Sequence, residues 1–347
     1  MKLRYRLGMA AVAAGLIIGG PVAAATPAVA AGTPLPAHVF APYYETYLAP
    51  NTPSLTATAQ ASGAKYFTLA FLQATKKGSC SLDWNSNSAQ PLDYYNSDIA
   101  SLRALGGDVI PSFGGYSADH GGTEIADSCT NVSSIAADYE SVISTLGITR
   151  LDMDVESNSL KNTAGIDRRN KAIAMTQSWA ASQGIPLQVQ YTLPVEQYGL
   201  DPNGEAVLQN AVANGVNVTS VNIMVFDYYI AGEGIVNMGQ AAINAATNTE
   251  AQLATIFPGK TSAQLWNMIG LTLLPGIDDY PKKTEVTYLP DAQKMLTFAQ
   301  QQNMNFLSMW AIQRDNGGCP GSTDSNTCSG ITQNTWDFSH LLEPFTG

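Results

Sequence analysis

The sequence predicts an α/β fold, a closed (β/α)8 TIM barrel with no large insertion domain. Three observations predict it. Strand patterns and helix patterns alternate from one end of the chain to the other, and eight strand patterns are present. Polar and aromatic residues collect at the carboxyl ends of those strands, where such barrels build their sites. One strand carries Asp152, Asp154 and Glu156 at every second residue, with Leu151, Met153 and Val155 between them. Successive side chains of a strand point to opposite faces, so three acids share one face and three apolar residues the other. An open doubly wound sheet usually has fewer strands, and no dinucleotide or P-loop glycine motif is present.

Residues 1–31 read as a cleaved signal peptide. Lys2, Arg4 and Arg6 form a basic start, an apolar stretch follows, and Ala28, Val29 and Ala30 offer a small-residue cleavage site. The expectation is a secreted, extracellular protein whose residues 32–347 form a single domain. No later apolar run is long enough to span a bilayer. The chain has 17 basic and 28 acidic residues, a net charge of −11, and the leader removes three basic residues and no acidic one. That balance argues against nucleic acid and membrane surfaces as partners. With 45% hydrophobic residues the chain can bury one large core, and a monomer is expected.

The candidate strands are 38–44, 65–73, 108–114, 150–156, 187–193, 220–228, 267–274 and 305–312. Helical spacing of apolar residues marks 94–105, 132–146, 168–183, 204–214 and 290–302. Gly106, Gly147, Gly184 and Gly215 supply helix stops. At the strand ends stand Tyr43, Tyr44 and Glu45, then Gln73, then Ser112, Gly114, Gly115 and Tyr116. Further along come Glu156, Gln190 and Tyr191, then Met224, Asp227, Tyr228 and Tyr229, and finally Trp310, Gln313, Arg314 and Asp315. Tyr43, Tyr44, Tyr116, Tyr228, Tyr229, Trp84 and Trp266 are candidate cleft walls, and Arg314 with Asp315 reads as an ion pair fixing the last loop. The segment 275–289 is too short to hold a second domain, so the cleft should be open.

Four cysteines in an exported chain suggest two disulfides. Three pairings are possible. The close spacing of Cys319 and Cys328 favours that pair and leaves Cys80 with Cys129, which would tie the loops after the second and third strands together. No CxxC occurs and the three histidines are scattered, so neither metal nor cofactor is expected. The acid ladder is itself a poor metal site, because residues on one strand face lie ~7 Å apart.

A carboxyl at a barrel mouth, close to other carboxylates, has its pKa raised by like charge and by burial, and can serve as a general acid near neutral pH. Glu156, outermost and on the longest stem, is the natural proton donor. Asp154, one layer deeper, can orient it or stabilise positive charge on a substrate. Asp152, deeper again, would hold Asp154 or share its proton.

These residues bear a family resemblance. Residues 149–156 resemble the DxxDxDxE motif of glycoside hydrolase family 18, the chitinases, with Asp152, Asp154 and Glu156 in the last three acidic positions. Ser112, Gly114 and Gly115 are similar to the family's SxGG motif on the third strand. Residues 224–228, Met224 to Tyr228, resemble its MxYD motif on the sixth strand, and Trp310 matches the tryptophan that floors the sugar site. The resemblance runs over residues 40–315 and is closest to the single-domain bacterial chitinases. Two positions depart from the pattern: Thr149 replaces the first acid, and Phe226 replaces the tyrosine whose hydroxyl binds the substrate acetamido group. Tyr191 or Tyr228 could supply that hydroxyl, with Asp227 and Gln190 nearby.

The resemblance implies hydrolysis of β-1,4 bonds between N-acetylglucosamine units of chitin or chito-oligosaccharides by a substrate-assisted retaining route, an exception to the two-carboxylate scheme. Glu156 would protonate the leaving oxygen and Asp154 would orient the acetamido group. Tyr43, Ser112, Gly114, Gly115, Gln190, Tyr191, Met224, Asp227, Tyr228 and Trp310 would form the substrate site. The open cleft implies endo action. An endo-β-N-acetylglucosaminidase acting on glycoproteins and a non-catalytic chitin- or glycan-binding protein on the same fold are the alternatives.

Overall fold

A computed structural model of the chain describes residues 34–228, 237–279, 285–323 and 325–347. The expected signal peptide and Tyr229 lie outside the described residues.

Eight parallel strands close into a ring. The first enters in two segments, Val39–Phe40 and Tyr43–Glu45, interrupted at Pro42, which has no N–H to give to a ladder. The first segment pairs with the eighth strand, Phe306–Met309, and the second with the second strand, Tyr66–Ala74, so this split strand shuts the barrel. Between them run the third strand Asp108–Gly114, the fourth Arg150–Asp154, the fifth Gln188–Glu196, the sixth Ser220–Met224 and the seventh Ile269–Leu273. The register sets Ser112 beside Asp152 and Asp152 beside Gln190. Leu151, Met153 and Val155 face the other way and are buried under the surrounding helices.

The fourth strand stops at Asp154, two residues before the predicted end, and Ser157 just beyond has a left-handed φ of 46°. The sixth stops at Met224, because Asp227 takes a φ of 53° that a strand cannot continue. The fifth runs on to Glu196 and folds back on Gly199–Leu200.

Helix Val132–Leu146 has its predicted bounds, with the Asn131 side chain capping the Ser134 N–H and Gly147 left-handed at the exit. Helix Thr163–Ser182 begins earlier than its apolar spacing implies, because the Asn162 side chain caps the Gly165 N–H. Helices Leu55–Ser62 and Met238–Ile256 complete stretches that the pattern left unassigned.

Both disulfides take the favoured pairing, Cys80 with Cys129 and Cys319 with Cys328. After the seventh strand, Gly276–Ile277 and Val286–Thr287 form a short hairpin, and no helix among the described residues is long and apolar enough to cross a membrane. Arg314 and Asp315 do not pair. Arg314 donates to the carbonyls of Pro275, Ile277 and Ser325, while Asp315 accepts from Ser339, Phe338 and Gln333. Chain neighbours diverge here, and each fixes a different loop.

Candidate active site

Asp152 stands at the centre of the ring, fully buried, with both carboxylate oxygens saturated. The Ser112 and Tyr43 hydroxyls donate to Oδ2 at 2.6 and 2.8 Å, and the Thr192 hydroxyl and Gln190 amide donate to Oδ1 at 2.7 and 3.0 Å. Asn222 on the sixth strand donates in turn to Thr192 at 2.9 Å. Burial raises the Asp152 pKa, and these four donors oppose the rise.

Asp154 lies one step toward the mouth and is also buried, yet its Oδ1 has no hydrogen-bond partner among the described residues. Burial, then the charges of Glu156, Asp152 and Asp119, push its carboxyl well above the usual range. Asp152 therefore acts on Asp154 through its field; the expected direct hold is absent because all four Asp152 contacts go elsewhere. Glu156, just past the strand end, is only partly buried. Burial lifts its pKa to about 7, with Asp279 adding to the rise and the Tyr116 N–H opposing it.

Across the mouth, Trp310 is partly exposed and stacks on Phe71 with ring centroids 5.5 Å apart, and Tyr43 meets both rings. A Cβ on Gly115 would lie 2.5 Å from the Phe71 ring, and one on Gly114 2.1 Å from the Asp154 carbonyl. The third strand needs glycine at both places for the aromatic floor and the acid strand to approach it.

Several expected substrate contacts are not available to a ligand. Tyr43, 1% exposed, spends its hydroxyl on Asp152, Ser112 does the same, and Gln190 gives Asp152 its amide N–H while its buried Oε1 has no partner among the described residues. Tyr191 points out of the ring and donates to Asn170 Oδ1 at 2.6 Å on helix Thr163–Ser182, so it cannot stand in for the tyrosine lost at Phe226. Met224 and Phe226 are also buried. The Tyr228 ring is buried, and its hydroxyl has no partner among the described residues. Of the candidate walls, Tyr44 and Trp84 are core residues, and Trp266 packs on Phe298. Tyr116 is exposed and stacks on His120.

Beside this constellation lies a second acid group. Asp227, Asp278 and Asp279 bring one oxygen each within 4.8 Å of one another. Asp227 has its pKa raised to about 11, first by burial and then by Asp278 and Asp279, and Glu285 is lifted to about 8 by burial and Asp278. Among the described residues, Arg314 is a cation whose charge acts on all three aspartates.

No family model matches the chain. It is 35% identical over 329 residues to a probable bifunctional chitinase/lysozyme of Escherichia coli, covering 91% of this chain and 36% of that protein. It is also 35% identical over 298 residues to endochitinase 11 of Metarhizium anisopliae, covering 82% of this chain and 54% of that one. The chain thus spans between a third and just over half of these curated relatives. The crystal structure of the catalytic domain of a hyperthermophilic chitinase from Pyrococcus furiosus is 30% identical and matches with a TM-score of 0.77 over 90% of this chain and 96% of its own.

The chain belongs to the glycoside hydrolase family 18 chitinases. Within this family-18 barrel, sequence reading missed Asp119, Thr192 and the pair Asp278–Asp279. The pair lies in the loop after the seventh strand, directly behind the short hairpin strand Gly276–Ile277, on the side of the barrel where the strand-end rule looks for function. Thr192 shares the inward parity of Gln190. Asp119, on a short helix beyond the third strand, carries no such signal.

Proposed function

We propose that the chain hydrolyses β-1,4 bonds between N-acetylglucosamine units, with Glu156 as proton donor and then as base. The observation that carries this reading is the pairing of a partly buried acid, its pKa near 7, with a fully buried neighbour that has an unpartnered carboxyl oxygen. A donor with such a pKa keeps its proton near neutral pH and can protonate the leaving oxygen. Asp154 Oδ1 is free to accept an N–H, as from a substrate acetamido group, and its raised pKa relaxes once positive charge develops there. No second protein nucleophile is needed on this route, in which the acetamido oxygen attacks the anomeric carbon to give an oxazolinium ion that water then opens with retention. The stacked Phe71–Trp310 surface supports a sugar ring lying on the mouth.

Secretion of a monomer is part of the same proposal. The two disulfides and the basic-then-apolar start of the chain support export. The test of the catalytic reading is release of products from chito-oligosaccharides by wild type and Glu156→Gln. Loss of a general acid lowers kcat by about 10²–10⁴-fold; equal rates would overturn the reading.

A further inference from the structure

Asp119 lies outside every motif that the sequence singles out. It sits in the short helix Tyr116–Gly121 that follows the third strand and is 1% exposed. Its Oδ2 accepts the main-chain N–H of Glu156 at 2.5 Å, while its Oδ1 has no hydrogen-bond partner among the described residues. The same helix reaches Glu156 a second time, because the Tyr116 N–H bonds its carboxyl. One turn of helix therefore holds the proposed proton donor at both its amide and its side chain.

Glu156 needs such a hold. The strand pairing ends at Asp154, the Val155 N–H still reaches the Thr192 carbonyl at 3.0 Å, and Ser157 turns the chain away with its left-handed φ. At Glu156 itself the amide goes to Asp119. A Cβ on Gly114 would lie 3.1 Å from Asp119 Oδ1, so this carboxyl presses against the strand edge beside Asp154.

An acid is an expensive choice for this place. Arg169, a cation whose charge acts on Asp119, is committed to Glu124 at 3.0 Å, with both side chains 1% exposed. Burial first, then Glu124 and Glu156, push the Asp119 carboxyl well above its usual range, against Arg169 and the Glu156 N–H. A buried carboxyl without an ion partner, set beside a proposed proton donor, is the pattern of a functional group.

We propose that Asp119 is a positioning residue for Glu156, its Oδ2 fixing the main chain from which the proton donor projects. It acts through Glu156 and touches no substrate. The inference rests on the reading of Glu156 as acid and base, and the experiment separates the two.

Measure kcat, KM and Tm on a soluble chito-oligosaccharide for the full chain and for Asp119→Ala, Asp119→Asn and Glu156→Gln. Misplacing a catalytic group by about 1 Å costs on the order of 10²-fold, so Asp119→Ala should lose about 10- to 100-fold in kcat with KM within about twofold. Asp119→Asn restores an oxygen for the Glu156 N–H and should recover kcat to within about threefold of wild type. Should Asp119→Ala not fold, Asp119→Ser, whose hydroxyl is too short to reach that N–H, carries the same expectation. Unchanged kcat in the alanine variant, a loss expressed in KM, or equal losses in Ala and Asn matching the unfolded fraction would each overturn the inference. Full activity of Glu156→Gln would instead overturn the reading of Glu156, whatever the Asp119 variants do.

Discussion

At the scale of the residue, three acids two positions apart occupy three different environments. Asp152 is saturated by four donors, Asp154 is buried with an open oxygen, and Glu156 is partly exposed with its pKa lifted to about 7. Alternation in the sequence put them on one face, and each next step toward the mouth changed the surroundings. Tyr191 illustrates the limit of that reading. It neighbours Gln190 and Thr192 in sequence, but strand parity turns its hydroxyl outward to Asn170. Tyr191→Phe should therefore leave KM for chito-oligosaccharides within about twofold of wild type and cost about 1–3 kcal/mol of stability, because it leaves the buried Asn170 Oδ1 without its donor. Steady-state kinetics and chemical denaturation check both halves, and a KM raised tenfold would bring the hydroxyl back into the cleft.

At the scale of the element, the catalytic mouth is held by short pieces rather than by the long helices. The turn of helix Tyr116–Gly121 grips Glu156, and the Cys80–Cys129 disulfide ties the loops after the second and third strands. The two disulfides close segments of unequal length, with separations of 49 and 9 residues. Chain entropy makes the longer crosslink worth about 4 kcal/mol and the shorter about 3. Replacing Cys80 and Cys129 with serine should lower the denaturation midpoint more than replacing Cys319 and Cys328. The reverse order in urea or guanidinium titrations would show that strain or residual structure governs the loops. Long helices and strands were legible because many residues repeat one period. The helix around Asp119 was not, because six residues carry too little periodicity, and its role comes from what it faces across the mouth.

At the scale of the whole molecule, the described residues bury more acids than cations. Glu45, Asp138 and Glu156 have pKa values raised to about 7, and Glu285 to about 8, in each case first by burial. Their ordinary values are 3.8 for aspartate and 4.5 for glutamate. Between those values and the raised ones the folded state binds more protons than the unfolded state, so stability falls as pH rises. Thermal scans should show Tm highest near pH 4 and declining through about pH 8, and a Tm that climbs over this window would contradict the raised values. Composition alone determined the sign of the charge, and alternation determined which faces of the strands are apolar. Periodicity determined the eightfold order of strands and helices, and the acid ladder marked the strand that carries the proposed chemistry. The tertiary structure decided the rest: that Asp152 is sealed while Asp154 keeps an open oxygen, that Tyr43 and Gln190 face Asp152 and Tyr191 faces a helix, and that Asp119 holds Glu156. The physical reason is that a local pattern records only the side of a strand on which a residue lies. Its partners depend on register, which is fixed only when the split first strand closes the ring.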